Sequence, residues 1–82
     1  MPELEIKVLG GKCKNCDVLE LACRRVVEDF NLDAVITRIK DEEEIAAFNA
    51  SKTPALLVNN TLMSQGDLPS ASELEHWFFN AI

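Results

Sequence analysis

Two cysteines separated by two residues are the side chains of this sequence best suited to chemistry. Cys13 and Cys16 enclose Lys14-Asn15. If a helix begins here, the two sulfurs come to one side of its first turn, close enough to form a disulfide. A helix N-terminus also presents unpaired N–H groups and partial positive charge, which favour a thiolate over a thiol. The spacing therefore predicts a redox-active dithiol.

The positions of the two cysteines relative to this helix predict different roles. Cys13 precedes the helix, so we expect it to be the more exposed sulfur and the attacking thiolate. Cys16 lies inside the first turn, so we expect it to be more buried and to resolve the mixed disulfide by attacking Cys13. Lys12 and Lys14 add positive charge that favours the thiolate.

A metal site is the main alternative from another functional class. Two thiolates after a strand and before a helix also resemble the heavy-metal-associated domains, which bind a soft ion such as Cu(I). A zinc site normally requires four nitrogen or sulfur ligands, and only Cys23 and His76 remain to complete one. Cys23 lies on an apolar helix stripe and is predicted to be a buried, inert thiol. His76, beside Trp77, is predicted to lie on the surface.

The hydrophobic pattern predicts the elements that position the cysteine pair. Alternating or continuous apolar residues predict strands at 4–9, 33–39, 55–58 and 61–65. Apolar stripes predict helices at 14–30 and 42–50 and a last helix that follows Ser70. The result is an α/β chain of order β-α-β-α-β-β-α, whose first crossover joins two parallel strands.

Turn and capping residues separate these elements. Gly10-Gly11 ends the first strand, Asn31 is a helix stop, and Asn59-Asn60 suits a tight turn between the last two strands. Capping-box spacing occurs at two predicted helix starts, Asp41 with Glu44 and Ser70 with Glu73.

Length and composition limit the classes of function. The 82 residues suffice for one small domain, spanning 1–82. A net charge of −6 repels phosphate backbones and disfavours nucleic-acid binding. No stretch approaches the roughly 20 apolar residues of a membrane helix. The start of the chain shows no secretory signal, and three cysteines do not pair evenly, so we expect a cytoplasmic protein. Nothing in the sequence requires more than a monomer.

Three segments together are more specific than the cysteines alone. They are Val8-Leu9-Gly10-Gly11-Lys12-Cys13-Lys14-Asn15-Cys16, Thr53-Pro54-Ala55-Leu56 and Gly66-Asp67-Leu68-Pro69-Ser70. With them the chain resembles the thioredoxin family over nearly its whole length, and most of all the compact thioredoxins and redox-active disulfide proteins of archaea and bacteria. The resemblance implies a thioredoxin fold, with a four-stranded mixed sheet flanked by three helices.

The same resemblance implies a site and an activity. Pro54 would follow a cis peptide bond and lie against the cysteine pair. Thr53 would offer its backbone to a substrate peptide, and Gly66 would lie close to the active site. The implied activity is that of a thiol–disulfide oxidoreductase acting on protein disulfides, with the Cys13–Cys16 disulfide as its redox group and no other cofactor. The sequence has no nucleotide-binding glycine motif, so a separate thioredoxin-reductase-like donor must supply electrons.

The sequence departs from typical thioredoxins at three places. Lys12 stands where they have Trp, Lys14-Asn15 replaces Gly-Pro, and Lys7 is nearest by spacing to their buried acidic residue. The substrate range, the redox potential and the proton route are therefore not predicted.

Two other interpretations use the same segments. Heavy-metal-associated domains follow the order strand, helix, strand, strand, helix, strand, whereas this chain is predicted to end in a helix. An adaptor that has a thioredoxin fold and binds partners without turnover is the other interpretation. The intact cysteine pair argues against such an adaptor.

Overall fold

The secondary-structure elements follow one another in the order that the hydrophobic pattern predicts. The computed structural model describes residues 3–11 and 13–82, so Lys12 and its predicted effect on the thiolate lie outside the described residues. The elements are β1 (Leu4–Leu9), α1 (Lys14–Asp29), β2 (Ala34–Ile39), α2 (Glu42–Ala47), β3 (Ala55–Val58), β4 (Thr61–Gln65) and α3 (Ala71–Ala81).

The strands of the described chain form one mixed sheet in the order β2-β1-β3-β4. β1 runs parallel to β2, as the first crossover predicts, and antiparallel to β3, which pairs antiparallel with β4. All residues of β3 are buried, in agreement with its continuous apolar run. The fold that the resemblance implies is thus confirmed, and the end of β1 that leads to the cysteine pair lies in the middle of the sheet.

The two faces of the sheet are covered by different helices. One cluster of buried side chains joins β1 and β3 to α1 and α3, and it contains Ile6, Val8, Leu19, Leu56, Leu74 and Phe78. A smaller cluster on the other face includes Leu9, Leu57 and Ile45 of α2. Neighbouring residues of a strand point to opposite faces, so Val8 packs under α1 and α3 while Leu9 packs against the α2 side. Both faces therefore fix the end of β1.

The predicted turns are present, with small differences at the helix ends. Asn31, Asn59 and Asn60 adopt positive φ angles of 51°, 49° and 68°, as suits a helix stop and a tight hairpin turn. α1 ends at Asp29, one residue before the predicted boundary.

The predicted boundaries of α2 are partly wrong. This helix ends at Ala47 instead of residue 50, because Asn49 adopts a positive φ of 65° that a right-handed helix does not allow. The Asp41 carboxylate accepts a hydrogen bond from the Glu43 N–H, one residue earlier than a capping box with Glu44 requires. Its role as the N-cap is retained.

At the start of α3 the predicted capping box is present in both halves. The Ser70 hydroxyl accepts from the Glu73 N–H at 3.2 Å, and the Glu73 carboxylate accepts from the Ser70 N–H at 3.3 Å. The two bonds satisfy donors that the first turn would otherwise leave unpaired.

Phe78 and Phe79 allow a matched test of how far the fold depends on the α3 contact. Phe78 is fully buried, whereas Phe79 is 48% exposed and makes an edge-to-face contact with Phe30. Phe78→Ala should lower the free energy of unfolding by about 3–5 kcal/mol. A core of this size rarely supplies more than about that amount, so this variant should be largely unfolded at 25 °C.

Phe79→Ala should cost only about 0.5–1.5 kcal/mol. Circular dichroism without denaturant shows how much of Phe78→Ala is folded, and urea unfolding measures the loss in Phe79→Ala. Equal losses from the two variants would contradict the packing described for α3.

Candidate active site

A disulfide between Cys13 and Cys16 closes the first turn of α1. Their sulfurs are bonded at 2.07 Å, with the two Cα atoms 5.2 Å apart. Cys13 is the N-cap of the helix, and its Sγ accepts a hydrogen bond from the Cys16 N–H at 3.0 Å. The Cys13 sulfur thus lies where the helix N-terminus stabilises negative charge, which favours the thiolate once the disulfide is reduced.

The two sulfurs differ in access to solvent as the sequence predicts. Cys16 has no exposed surface, whereas Cys13 is partly exposed. Cys13 lines two neighbouring cavities of about 340 and 410 Å³. Of the two sulfurs, Cys13 is therefore the accessible one.

Gly10 makes the burial of Cys16 possible. A Cβ at Gly10 would overlap the Sγ of Cys16 and would lie 3.7 Å from the Cβ of Thr53. The backbone of Gly10 therefore lies between the buried sulfur of Cys16 and the loop before β3. The sequence analysis places Gly10 at the end of a strand and in the segment that leads to the cysteines, but nothing in the local pattern shows which side chain packs on it.

The Thr53–Pro54 segment lies beside the cysteine pair. The peptide bond between the two residues is cis. Thr53 is exposed and lines the same 340 Å³ cavity as Cys13, while Pro54 is buried. The structure therefore brings together Cys13 and Thr53, which are distant in the sequence.

Gly66 is connected to this segment through its backbone. Its N–H donates to the Pro54 carbonyl at 2.9 Å, and its φ of 78° is one that glycine adopts most readily. A Cβ at Gly66 would lie 3.1 Å from the Cδ of Lys52. Gly66 therefore supports Pro54 and is not among the residues that line the two cavities next to Cys13.

Arg38, at the end of β2, is the site residue that the sequence analysis missed. Only 9% of its side chain is exposed. Its Nε donates to the Gly10 carbonyl at 2.8 Å, and its Nη2 donates to the Gly11 carbonyl at 2.7 Å. Its Nη1 donates to carboxylate oxygens of Asp17 and Glu20, each at 2.9 Å. One guanidinium thus joins the loop before Cys13 to the first two turns of α1.

Glu20 takes part in a second ion pair on the exposed side of α1. Its carboxylate accepts from Arg24 at 2.9 Å in addition to its bond from Arg38. Hydrogen bonds from Arg24 and then from Arg38 hold the pKa of Glu20 below its ordinary value. Glu20 therefore stays ionised as the partner of both arginines.

Lys7 does not replace the buried acid of typical thioredoxins. Its ammonium lies 5.0 Å from the centre of the Phe48 ring and donates to Asn60 Oδ1 at 3.2 Å. It is directed to the α2 face of the sheet, because Phe48 packs against the cluster that contains Leu9. No aspartate or glutamate is buried in ranges 3–11 and 13–82.

The remaining candidate ligands have the positions that the sequence predicts. Cys23 is fully buried in the α1 core cluster, where desolvation first and the charge of Glu20 second raise the pKa of its thiol to about 12. His76 is exposed and interacts with Asn80 on its own helix at 3.1 Å. In the part of the chain that the structure describes, no three His, Cys, Asp or Glu side chains are grouped so as to hold a metal ion.

Comparison with known sequences identifies the protein family of this chain. The family model described as a thioredoxin domain matches residues 4–79. The chain belongs to the thioredoxin family. It is 29% identical over 72 residues to a thioredoxin of Methanothermobacter thermautotrophicus, covering 88% of this chain and 94% of that protein. It is 27% identical over 70 residues to a thioredoxin of Methanocaldococcus jannaschii, covering 85% and 80% of the two.

Solved thioredoxin structures share the fold. A mutant thioredoxin from Halobacterium salinarum superposes with a TM-score of 0.77 at 15% identity, covering 98% of this chain and 75% of that one. Mitochondrial thioredoxin 3 of Saccharomyces cerevisiae, in its oxidised form, superposes with a TM-score of 0.71 at 8% identity. The match covers 98% of this chain and 80% of that one.

The class of activity follows from the family together with the disulfide. The protein is a thiol–disulfide oxidoreductase whose redox group is the Cys13–Cys16 pair. The soft-metal alternative is not favoured, since the family acts through this disulfide and both sulfurs are joined in it. Among the helices that the structure describes, none is long and apolar enough to span a membrane.

Gly10 and Gly11 provide a matched test of the close contact between Gly10 and the Cys16 sulfur. Gly10→Ala should move the buried sulfur or the loop, destabilising the oxidised protein by about 1–3 kcal/mol. Gly11→Ala is the control, because the nearest atom to its added Cβ is the Lys40 carbonyl oxygen at an ordinary 3.6 Å. Urea unfolding of both oxidised variants makes the comparison. A Gly10→Ala variant as stable as Gly11→Ala would show that the site does not need this close approach.

The pKa of Cys23 predicts selective alkylation of the reduced protein. At a pKa of about 12, only about one Cys23 in ten thousand carries the thiolate at pH 8, and the thiol is buried as well. Iodoacetamide should therefore modify Cys13 but leave Cys23 free until urea is added. Peptide mass spectrometry locates the label. Labelling of Cys23 in the folded protein at the rate of a free thiol would contradict its buried position.

Proposed function

We propose that the protein exchanges disulfides with protein substrates by attack of the Cys13 thiolate, and that Cys16 resolves the mixed disulfide. The observation that carries this assignment is the difference in burial within the pair. Cys13 lines two cavities, whereas Cys16 is enclosed behind it against Gly10. A substrate disulfide is too large to reach Cys16, but it can reach Cys13.

The exchange proceeds in two balanced steps. The Cys13 thiolate bonds to one sulfur of the substrate disulfide, and the other substrate sulfur leaves as a thiolate and takes up a proton. Cys16 then loses its proton and attacks the Cys13 sulfur, which releases the second substrate sulfur as a thiolate that also takes up a proton. The substrate gains two electrons and two protons, and the protein is left with its Cys13–Cys16 disulfide. The same steps in reverse oxidise a substrate dithiol.

Groups around Cys13 support its role as the nucleophile. The Cys16 N–H points at its sulfur, and the helix N-terminus contributes partial positive charge. Lys14 and Lys40 line a cavity that Cys13 also lines, and both favour a thiolate there. A lower thiol pKa increases the fraction of protein ready to attack near neutral pH.

We assign substrate binding to Thr53, Pro54 and Gly66. Thr53 is exposed at the cavity edge next to Cys13, so an extended substrate segment that presents its disulfide to Cys13 would run along the Thr53 backbone. Pro54 lies buried beneath this position, and the hydrogen bond from Gly66 to the Pro54 carbonyl holds the segment in place. The role of Gly66 is therefore supporting.

The same chemistry supports a separate electron donor and a cytoplasmic location. The sequence has no nucleotide-binding glycine motif, so we propose a separate thioredoxin-reductase-like protein as donor. The Cys23 thiol has no disulfide partner. A free thiol suits a reducing compartment, which favours the cytoplasm.

Trapping of substrates tests the roles of the two cysteines. Cys16→Ser should accumulate mixed disulfides through Cys13, because the resolving sulfur is gone. Cys13→Ser should trap nothing, since Cys16 is buried. Each variant, kept at native Cys23 and again as Cys23→Ser, is mixed with an oxidised protein substrate such as insulin and analysed by non-reducing electrophoresis and mass spectrometry. Equal trapping by both variants would contradict the assignment of distinct roles. Trapping by Cys13→Ser alone would show that Cys16 is the attacking cysteine.

A further inference from the structure

Arg38 makes contacts with the active-site loop that the exchange mechanism does not yet use. Its side chain is 9% exposed, and its four hydrogen bonds end on two loop carbonyls and two carboxylates of α1. Burial of a guanidinium is costly unless its donors are paired. The planar fork of arginine matches partners in several directions at once, which the point charge of lysine does not. The position therefore favours arginine specifically.

The bonds from Arg38 reach Cys13 through one shared acceptor. The Gly11 carbonyl accepts from Arg38 Nη2 at 2.7 Å and also from the Cys13 N–H at 3.2 Å. The Gly10 N–H donates to the Ile39 carbonyl at 2.9 Å, so the end of β2 holds both backbone groups of Gly10. The backbone that leads into Cys13 is thus fixed on the β2 side by Arg38.

The α1 side of the same network fixes the helix that carries Cys16. Arg38 Nη1 bonds to Asp17, the residue after Cys16, and to Glu20 one turn further on. The loop and the first turns of α1 therefore share one donor group. Their relative position determines whether the Cys13 sulfur stays 3.0 Å from the Cys16 N–H.

We propose that Arg38 is a positioning residue of the redox pair: it holds the Gly10–Gly11 loop against α1 so that the Cys13 sulfur keeps its bond from the Cys16 N–H. The proposal rests on the assignment of Cys13 as the nucleophile. Arg38 acts through geometry more than through its charge, since Asp17 and Glu20 offset that charge. Loss of the guanidinium should let the loop move, weaken the bond to the thiolate and raise the pKa of Cys13.

Charged groups that face Cys13 must stay unchanged in the test. Within the described residues, those that line a cavity together with Cys13 are Lys14, Asp17, Lys40 and Glu42. Substitutions at Arg38 leave all of them in place, although Asp17 loses its partner. Arg24→Met is the matched control, because Arg24 pairs with Glu20 at the same 2.9 Å but makes no hydrogen bond to the loop.

The experiment measures the pKa of Cys13 in the reduced protein from the pH dependence of its iodoacetamide alkylation. Arg38→Met should raise this pKa by about one unit, which slows alkylation about tenfold at pH values below it. Arg38→Lys, which keeps the charge but not the fork, should give a clear part of the same shift. Arg24→Met should match the wild type. A folded Arg38→Met protein with the wild-type pKa would overturn the proposal.

Two further comparisons keep the test decisive. If Arg38→Met does not fold by circular dichroism, Arg38→Lys decides, and a wild-type Cys13 pKa in that variant overturns the proposal. If Arg38→Lys matches the wild type while Arg38→Met is shifted, the charge and not the geometry acts, which also overturns it. The alkylation uses no substrate and is located at Cys13 by mass spectrometry. Failure here is therefore distinct from failure of the trapping experiment, which tests whether Cys13 attacks substrates at all.

Discussion

The close approach of Gly10 to the sulfur of Cys16 is the contact around which the active site is arranged. α1 begins only a few residues after β1 ends in the middle of the sheet, so its first turn must lie directly over the end of that strand. A side chain at Gly10 would occupy the volume of the Cys16 sulfur. The absence of a side chain there lets Cys16 be fully buried, while Cys13 at the N-cap stays accessible. The division between one accessible and one buried sulfur follows from this packing.

Hydrogen bonding then fixes a loop that packing alone leaves free. Gly10 and Gly11 present carbonyls near the end of two parallel strands, and glycine gives little resistance to rotation of the backbone. Arg38 lies on the same face of β2 as the half-buried Ile36, beneath α1, and its fork spans the gap between loop and helix. In this small domain the Arg38 side chain, through its four hydrogen bonds, therefore fixes the loop that leads to the cysteine pair.

The sequence predicts the elements better than it predicts their contacts. Apolar periodicity locates β1, β3 and β4 at their observed bounds, because each needs only local alternation or a local apolar run. The Cys-x-x-Cys spacing and the Thr53-Pro54 pair locate the site, since both are local motifs. Neither Gly10 nor Arg38 carries such a signal. Their importance depends on the parallel register that pairs Val8 with Arg38, and that register is set by the whole sheet. The early end of α2 at Ala47 also has no clear local signal, since it depends on the positive φ that Asn49 adopts in the loop before β3.

Cys16 must lose its proton before it can resolve a mixed disulfide, and in this protein the route cannot use a buried carboxylate of the described residues. Lys7 is nearest by spacing to the buried acid of typical thioredoxins. Its side chain is directed to the α2 face of the sheet and donates a hydrogen bond to Asn60. A carboxylate enclosed beside the pair would also oppose the thiolate form of Cys13 by like charge. The exposed side of the pair offers another acceptor, because the first substrate sulfur leaves as a thiolate in the cavity shared by Cys13 and Thr53. In the proposed exchange that thiolate, before it leaves the site, takes up the proton that Cys16 releases. This route uses the cavity beside Cys13, and Gly11, whose carbonyl Arg38 holds, forms part of the wall of that cavity.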